Sequence, residues 1–197
     1  MVRAESLTRV DAALLSWLQA HSTPVGHTIA RAVTRLGSPD LILTAGLLVA
    51  VILAARRETL LLQGWIIALV GGEVLNAALK RIIQRPRPPH SVISSPESWS
   101  FPSGHAMESL IGYGMAAYLI IVLVPAARAR RGAIVLAAAS LIVAIGFSRM
   151  YLGVHYFSDV IGGYTAGGLW LAMSISGVEL ARGWQSRDRA SRWEETA

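Results

Sequence analysis

Apolar positions fill five stretches of this chain almost without interruption, and polar positions collect between them. A membrane-crossing helix needs about 20 mostly apolar residues, with a floor near 17. The stretches run from Pro39 to Ala55, Thr59 to Leu79, Ser103 to Val124, Gly132 to Phe147 and Phe157 to Leu180. The fourth is short for a span. Ser38 is placed to cap the first and Pro39 to open it, and Pro125 ends the third. The expected fold class is all-α: an integral membrane helical bundle with five clear spans, six if the N-terminus supplies another, in one domain over 1–197.

Residues 1–37 have a different pattern. Leu7, Val10, Leu14, Trp17 and Leu18 recur at helical spacing among polar residues. Thr23 and Pro24 mark a second helix start. Val25, Ile29, Val33 and Leu36 line one of its faces; His27, Arg31 and Arg35 line another. Such patterns are amphipathic and too short to span. They predict two helices lying at the membrane surface or packed on the bundle, with a degenerate first span as the alternative. Residues 182–197 form a polar tail in which Trp184 and Trp193 suit interfacial anchoring. No cleavable signal peptide is expected, because Arg3, Glu5, Arg9 and Asp11 interrupt any apolar run at the start. No internal repeat is visible.

Composition agrees with the pattern. Hydrophobic residues make up 53% and charged residues 15%, against about 25% charged in a soluble domain. Mean hydropathy is +0.49. There is no cysteine, which excludes disulfides and thiolate-bound metals. The net charge of +6 is explained by loop charges and an anion site before nucleic acid. Alternating spans put loops 81–102 and 147–156 on one side. Lys and Arg split nine against nine. Setting aside Lys80, Arg87 and Arg149 as site residues leaves six against nine, so the side carrying those two loops is extracytoplasmic by the positive-inside rule.

Three polar clusters meet on that side: Lys80–Pro88, Phe101–His105 and Ser148–Asp159. Ionisable groups at membrane depth are costly and face an interior or a water-filled cavity. Lys80, Arg87 and Arg149 suit phosphoryl oxygens. Pro102-Ser103-Gly104-His105 puts a hydroxyl and free amides at a helix N-terminus, an anion cradle. His155 and Asp159, four apart, share a helical face, so the carboxylate can fix the imidazole tautomer and leave the other nitrogen nucleophilic. Taken singly, each has a duller explanation: Arg149 a loop charge, His155 a structural histidine, the Pro102–His105 stretch a helix cap. Arg81 and Arg85 read as headgroup contacts. Together they describe phosphoryl transfer. Glu73 and Asn76 share a face with Lys80 and are expected to position it. The role of Glu108, three after His105, stays open. Gly162, Gly163, Gly167 and Gly168 are expected to permit close helix packing. Met107 and Met115 read as packing.

Three motifs carry a resemblance: Lys80, six residues, Arg87-Pro88; Pro102-Ser103-Gly104-His105; and Ser148-Arg149, five residues, His155, three residues, Asp159. The chain resembles the type 2 phosphatidic acid phosphatase (PAP2) superfamily, which is related to bacterial acid phosphatases and vanadium haloperoxidases. All three motifs match without departure. The resemblance implies that His155 attacks phosphorus to form a phosphohistidine, that Asp159 orients it and that His105 protonates the leaving oxygen. It implies that Lys80, Arg87, Ser103, the Gly104 amide and Arg149 hold the phosphate. No metal or other cofactor is implied, since cationic side chains stabilise the charge. Bacterial membrane members commonly have six spans; five are clear here. The expected partners are a lipid phosphate or diphosphate substrate and membrane lipids, not nucleic acid; the oligomeric state is not legible. Phosphatidic acid, phosphatidylglycerol phosphate and polyprenyl diphosphate are the substrate candidates. A lipid phosphotransferase, a non-catalytic lipid-binding or transport protein and a vanadate-dependent oxidase are the competing readings.

Overall fold

The computed structural model describes residues 2–89 and 99–195, with side chains described over 8–89 and 99–187. The expectations for Leu7 and Trp193, and the middle of the loop between the first two motifs, lie outside these. Eight helices are described: α1 (Val2–Ala20), α2 (Pro24–Arg35), α3 (Pro39–Ala55), α4 (Thr59–Ile83), α5 (Gly104–Leu123), α6 (Pro125–Arg128), α7 (Arg131–Tyr151) and α8 (Phe157–Glu195). No strand occurs among the described residues.

The predicted helix starts are observed. Thr23 Oγ1 accepts a hydrogen bond from the Gly26 amide, and Ser38 Oγ accepts one from Leu41. Pro24 and Pro39 take the first helical positions, where a missing N–H costs nothing. The segment assigned to the fourth span extends further, to Tyr151, so α7 has 21 residues and is long enough to cross. The polar tail continues α8 as helix to Glu195.

Four stretches among the described residues are long and apolar enough to span a membrane: 24–55, 59–83, 104–123 and 131–151. The first fuses α2 with α3. α8 is not among them. Its glycines at 162, 163, 167, 168 and 177, together with Asp159, dilute its hydropathy.

α5 lies at the centre and packs on α3, α4, α7 and α8. Leu53, Leu61, Trp65, Met107, Ile111, Met115 and Val178 form the core between them. Large apolar side chains also cover the outside, among them Leu47, Val70, Leu136 and Leu169. In water so broad an apolar surface would aggregate; in lipid it is the expected exterior. Gly163 and Gly167 let α8 approach the α5 backbone, since a Cβ at either would meet Ser103 O at 2.7 Å or Met107 O at 3.0 Å. Gly168 has no such constraint; its nearest neighbour would be 3.6 Å away.

The two N-terminal helices pack on the bundle, α1 on α7 and α8, α2 on α7. Their apolar positions divide between the two sides. In α1, Val10 and Trp17 are exposed, while Leu18 and Asp11 are buried, at 3% and 2% exposure. In α2, Val25 and Ile29 face outward and Ala30 is buried.

Candidate active site

The last turn of α4 carries Lys80, and the helix stops at Gln84, whose φ of 48° is left-handed. The chain then runs Arg85-Pro86-Arg87-Pro88, and the prolines keep it from re-entering a helix. Arg87 Nη1 donates to Val154 O at 2.9 Å and lies 3.2 Å from His155 Nε2. A guanidinium only donates, so this contact assigns Nε2 as the acceptor and the ring proton to Nδ1. Nδ1 lies 3.5 Å from Asp159 Oδ2 and makes no hydrogen bond among the described residues.

The second motif opens α5. Ser103 is its N-cap by position, yet its hydroxyl makes no capping bond. Ser103 Oγ is buried and without a hydrogen-bond partner among the described residues. The Ser103 amide donates to Asp159 O at 3.0 Å, which fastens the second motif to the third. Gly104 occupies the first helical position. A Cβ there would lie 3.1 Å from Glu108 Oε1, 3.4 Å from Lys80 Nζ and 3.5 Å from Asn76 Oδ1. Glu73 and Glu108 both lie within electrostatic range of Lys80. Asn76 Nδ2 donates to Met107 Sδ at 3.4 Å, so of the two residues expected to support Lys80 only Glu73 is placed near it, together with Glu108 of α5.

The third motif spans the α7–α8 junction. Arg149, in the last turn of α7, is only 6% exposed. Its Nη1 donates to Thr34 Oγ1 of α2 at 2.9 Å, and its Nε has no partner among the described residues. Gly153 takes φ +68°, a left-handed turn that suits glycine and brings the chain back so that His155 faces the bundle. His155 and Asp159 are both buried. Burial, with Arg87 and Arg149 nearby and Asp159 opposing, pushes the His155 pKa down to about 4. His105 lies within electrostatic range of Arg149, His155, Lys80 and Arg87. The residues predicted from the sequence therefore converge, although Lys80 and Asp159 are 79 positions apart.

Three contributors were not legible: Arg85, Asp11 and Thr34. Arg85 does not reach toward headgroups: its Nη1 donates to Asp159 Oδ1 at 2.6 Å and its Nη2 to Asp11 Oδ2 at 2.7 Å. Arg81 is exposed. Asp11 also accepts from the Ser158 amide and hydroxyl. Thr34 holds Arg149 from α2. The one signal in the sequence was Asp11 itself, an acid inside an otherwise apolar-faced helix.

The chain is similar to known proteins. The family model of the PAP2 superfamily fits residues 59–182. The chain belongs to that superfamily, and it is a membrane-embedded phosphatase. It is 32% identical over 149 residues to phosphatidylglycerophosphatase B of Bacillus subtilis, covering 75% of this chain and 72% of that protein. It is 33% identical over 137 residues to decaprenylphosphoryl-5-phosphoribose phosphatase of Mycobacterium tuberculosis, covering 64% of each. The crystal structure of a transmembrane PAP2-type phosphatidylglycerolphosphate phosphatase from Bacillus subtilis superposes with a TM-score of 0.80 at 26% identity, over 88% of this chain and 87% of that one. LpxE of Aquifex aeolicus shares the fold, with a TM-score of 0.60 at 23% identity over 84% of this chain and 94% of that one.

Proposed function

We propose that this protein hydrolyses a lipid phosphomonoester or diphosphate through a phosphohistidine on His155, without a metal. One observation carries the reading. Three motifs remote in sequence converge around His155, where Ser103 Oγ, Arg149 Nε and His155 Nδ1 are buried without a hydrogen-bond partner among the described residues. Buried polar groups are nearly always satisfied, so donors left over beside a histidine argue for an external acceptor such as a phosphoryl group.

In the first step His155 Nε2 attacks phosphorus. The phosphorus–oxygen bond to the lipid breaks, and His105 gives its proton to the leaving oxygen. In the second, water attacks phosphorus, His105 takes the water's proton, the phosphorus–nitrogen bond breaks with its electrons returning to Nε2, and inorganic phosphate departs. Lys80, Arg87, Ser103, the Gly104 amide and Arg149 hold the phosphoryl oxygens, and Asp159 keeps the Nδ1 proton in place. Arg87 contacts Nε2 in the resting site, so substrate oxygens must draw its guanidinium off that nitrogen before attack.

The lipid class is supported by the relatives, whose names specify phosphatidylglycerophosphate and a decaprenyl phosphoribose. The site sits at one end of the apolar helices, at headgroup level. We place it on the extracytoplasmic side of a multi-pass cell-membrane protein of one domain, with α8 as a fifth crossing. The chain has no cysteine, so single cysteines at 57 and 89 probe opposite faces without background. Labelling of 57 alone from outside refutes the orientation. The function is tested by phosphate release from purified phosphatidylglycerol phosphate, phosphatidic acid and polyprenyl diphosphate. Release stoichiometric with lipid loss, abolished in His155→Ala, is expected. Near-native turnover in that variant refutes the nucleophile, and lipid loss without free phosphate favours transfer to a second lipid.

A further inference from the structure

Arg85 and Asp11 belong to none of the three motifs' assigned roles, yet both are tied to the site. Asp159 Oδ1 receives Arg85 Nη1 at 2.6 Å, and Asp159 Oδ2 receives the Tyr156 amide at 2.9 Å. These contacts are shorter than the 3.5 Å separating Oδ2 from His155 Nδ1. The carboxylate is thus oriented more by Arg85 and Tyr156 than by the imidazole. Arg85 is itself fixed. Its Nη2 is paired to Asp11, its Nη1 also donates to Ser158 Oγ at 2.6 Å, and its guanidinium stacks 4.3 Å above the Tyr156 ring. Its carbonyl accepts the Ser100 amide at 2.8 Å. Asp11 completes the clamp by taking the Ser158 amide at 2.9 Å and its hydroxyl at 2.5 Å.

We propose that Arg85 is the positioning residue for Asp159 and that Asp11 of α1 holds Arg85 in turn, so that α1 forms a working part of the active site. The inference rests on the functional reading above, in which Asp159 serves His155. A half-buried arginine between two buried carboxylates, one on each side, is costly to assemble unless both pairs are made with good geometry. Here both are. Paired with Arg85, Asp159 has its negative charge partly neutralised. It then fixes the Nδ1 proton without trapping His155 as an imidazolium that could not attack. The charged and titratable groups facing His155 are Asp159 from α8, Arg87 from the loop after α4, Arg149 from α7 and His105 from α5. Removing Arg85 leaves Asp159 the fuller charge and favours the protonated ring.

The full chain in nanodiscs is compared as wild type, Arg85→Gln, Arg85→Lys, Asp11→Asn and His155→Ala, with phosphatidylglycerol phosphate as the probe among the active lipids. A displaced positioning group costs roughly 10²-fold in rate. Arg85→Gln is expected to lower kcat about 100-fold with KM within about twofold, and to move the acid limb of the pH profile upward. Arg85→Lys restores part of kcat. Asp11→Asn, which keeps its shape and an acceptor, lowers kcat about tenfold and remains testable if Arg85→Gln fails to insert. A merely structural tie would lower the yield or melting temperature and leave the pH limb and the kcat of the folded fraction unmoved. That result overturns the proposal. So does a rise in KM at constant kcat, which would make Arg85 a phosphate ligand. Release lost in His155→Ala but kept in the Arg85 and Asp11 variants overturns this inference alone. Release that survives His155→Ala overturns the functional reading and this inference with it.

Discussion

Replacing Gly163 by alanine tests whether the contact between α8 and α5 sets the site. A Cβ at 163 would fall 2.7 Å from Ser103 O, 3.1 Å from Ala106 Cβ and 3.3 Å from the Met107 amide nitrogen. Ordinary contact begins at 3.4 Å, so the nearest approach is short by about 0.7 Å. The atom in the way is a backbone carbonyl and has no rotamer to escape into. The helices must separate, and overpacking of this kind costs about 1–3 kcal/mol. Alanine also gains about 1 kcal/mol over glycine in helix propensity, which hides part of the loss. Gly168 supplies the control: it lies on the same helix, and a Cβ there would meet Leu110 Cδ2 at an unstrained 3.6 Å. The propensity term is common to both variants, so their difference reads the packing term alone. Thermal unfolding in detergent should place Gly163→Ala several degrees below Gly168→Ala, at roughly 2–4 °C per kcal/mol for a chain of this size. The residue pushed is Ser103, whose amide bonds Asp159 O. Phosphate release should therefore fall about tenfold or more in Gly163→Ala and stay near wild type in Gly168→Ala. Equal melting temperatures and equal rates in the two variants would refute the reasoning.

The other expectations concern the chemistry. His105→Ala should slow turnover by about 10²–10⁴-fold, the usual worth of a positioned acid; a loss under tenfold on a lipid substrate counts against that role. Vanadate, which mimics a phosphoryl group in five-coordinate geometry, should inhibit at low concentration, and chelation by EDTA should leave release unchanged; strong EDTA inhibition would mean an essential metal. Burial lowers His155 from 6.5 to about 4, so between those values the unfolded chain binds the extra proton. Stability is then lost as pH falls from about 6.5 to about 4, by about 3 kcal/mol from this group. His155→Gln should flatten that part of the profile, and an identical pH dependence in the two proteins would show that His155 is not held neutral.

What was legible and what was not follow the range of the interactions. Spans are a local property, because about 20 apolar residues cross a bilayer wherever the rest of the chain lies. The starts at Thr23 and Ser38 were equally local. So were the three motifs, since each needs only a few adjacent positions, and their convergence followed from counting spans. α8 differs. The sequence offers 157–180 as a span, but the glycines that let it lie against Ser103 and Met107 dilute its hydropathy, and it is not among the four described stretches apolar enough to cross. The N-terminal helices were harder. In water an apolar stripe faces a core, and that rule places Leu18 inside but misplaces Val10 and Trp17. With lipid outside, those two point out, and Asp11 turns in with Leu18.

The inward turn of Asp11 also explains why Arg85 departs from its expected contact with headgroups. A juxtamembrane arginine with no visible partner in sequence defaults to the headgroups. Its partners, Asp11 and Asp159, lie 74 positions to either side of it. No periodicity links positions so distant, and only the inward turn of α1 brings the first of them within reach. An acid inside an apolar-faced membrane helix is expensive unless it is paired. Asp11 was therefore a question about the fold posed by the sequence, and Arg85 is its answer. In a membrane bundle the polar residue on an apolar helix marks a face that turns inward, so the helix carrying it should be placed by what that residue pairs with as well as by its apolar stripe.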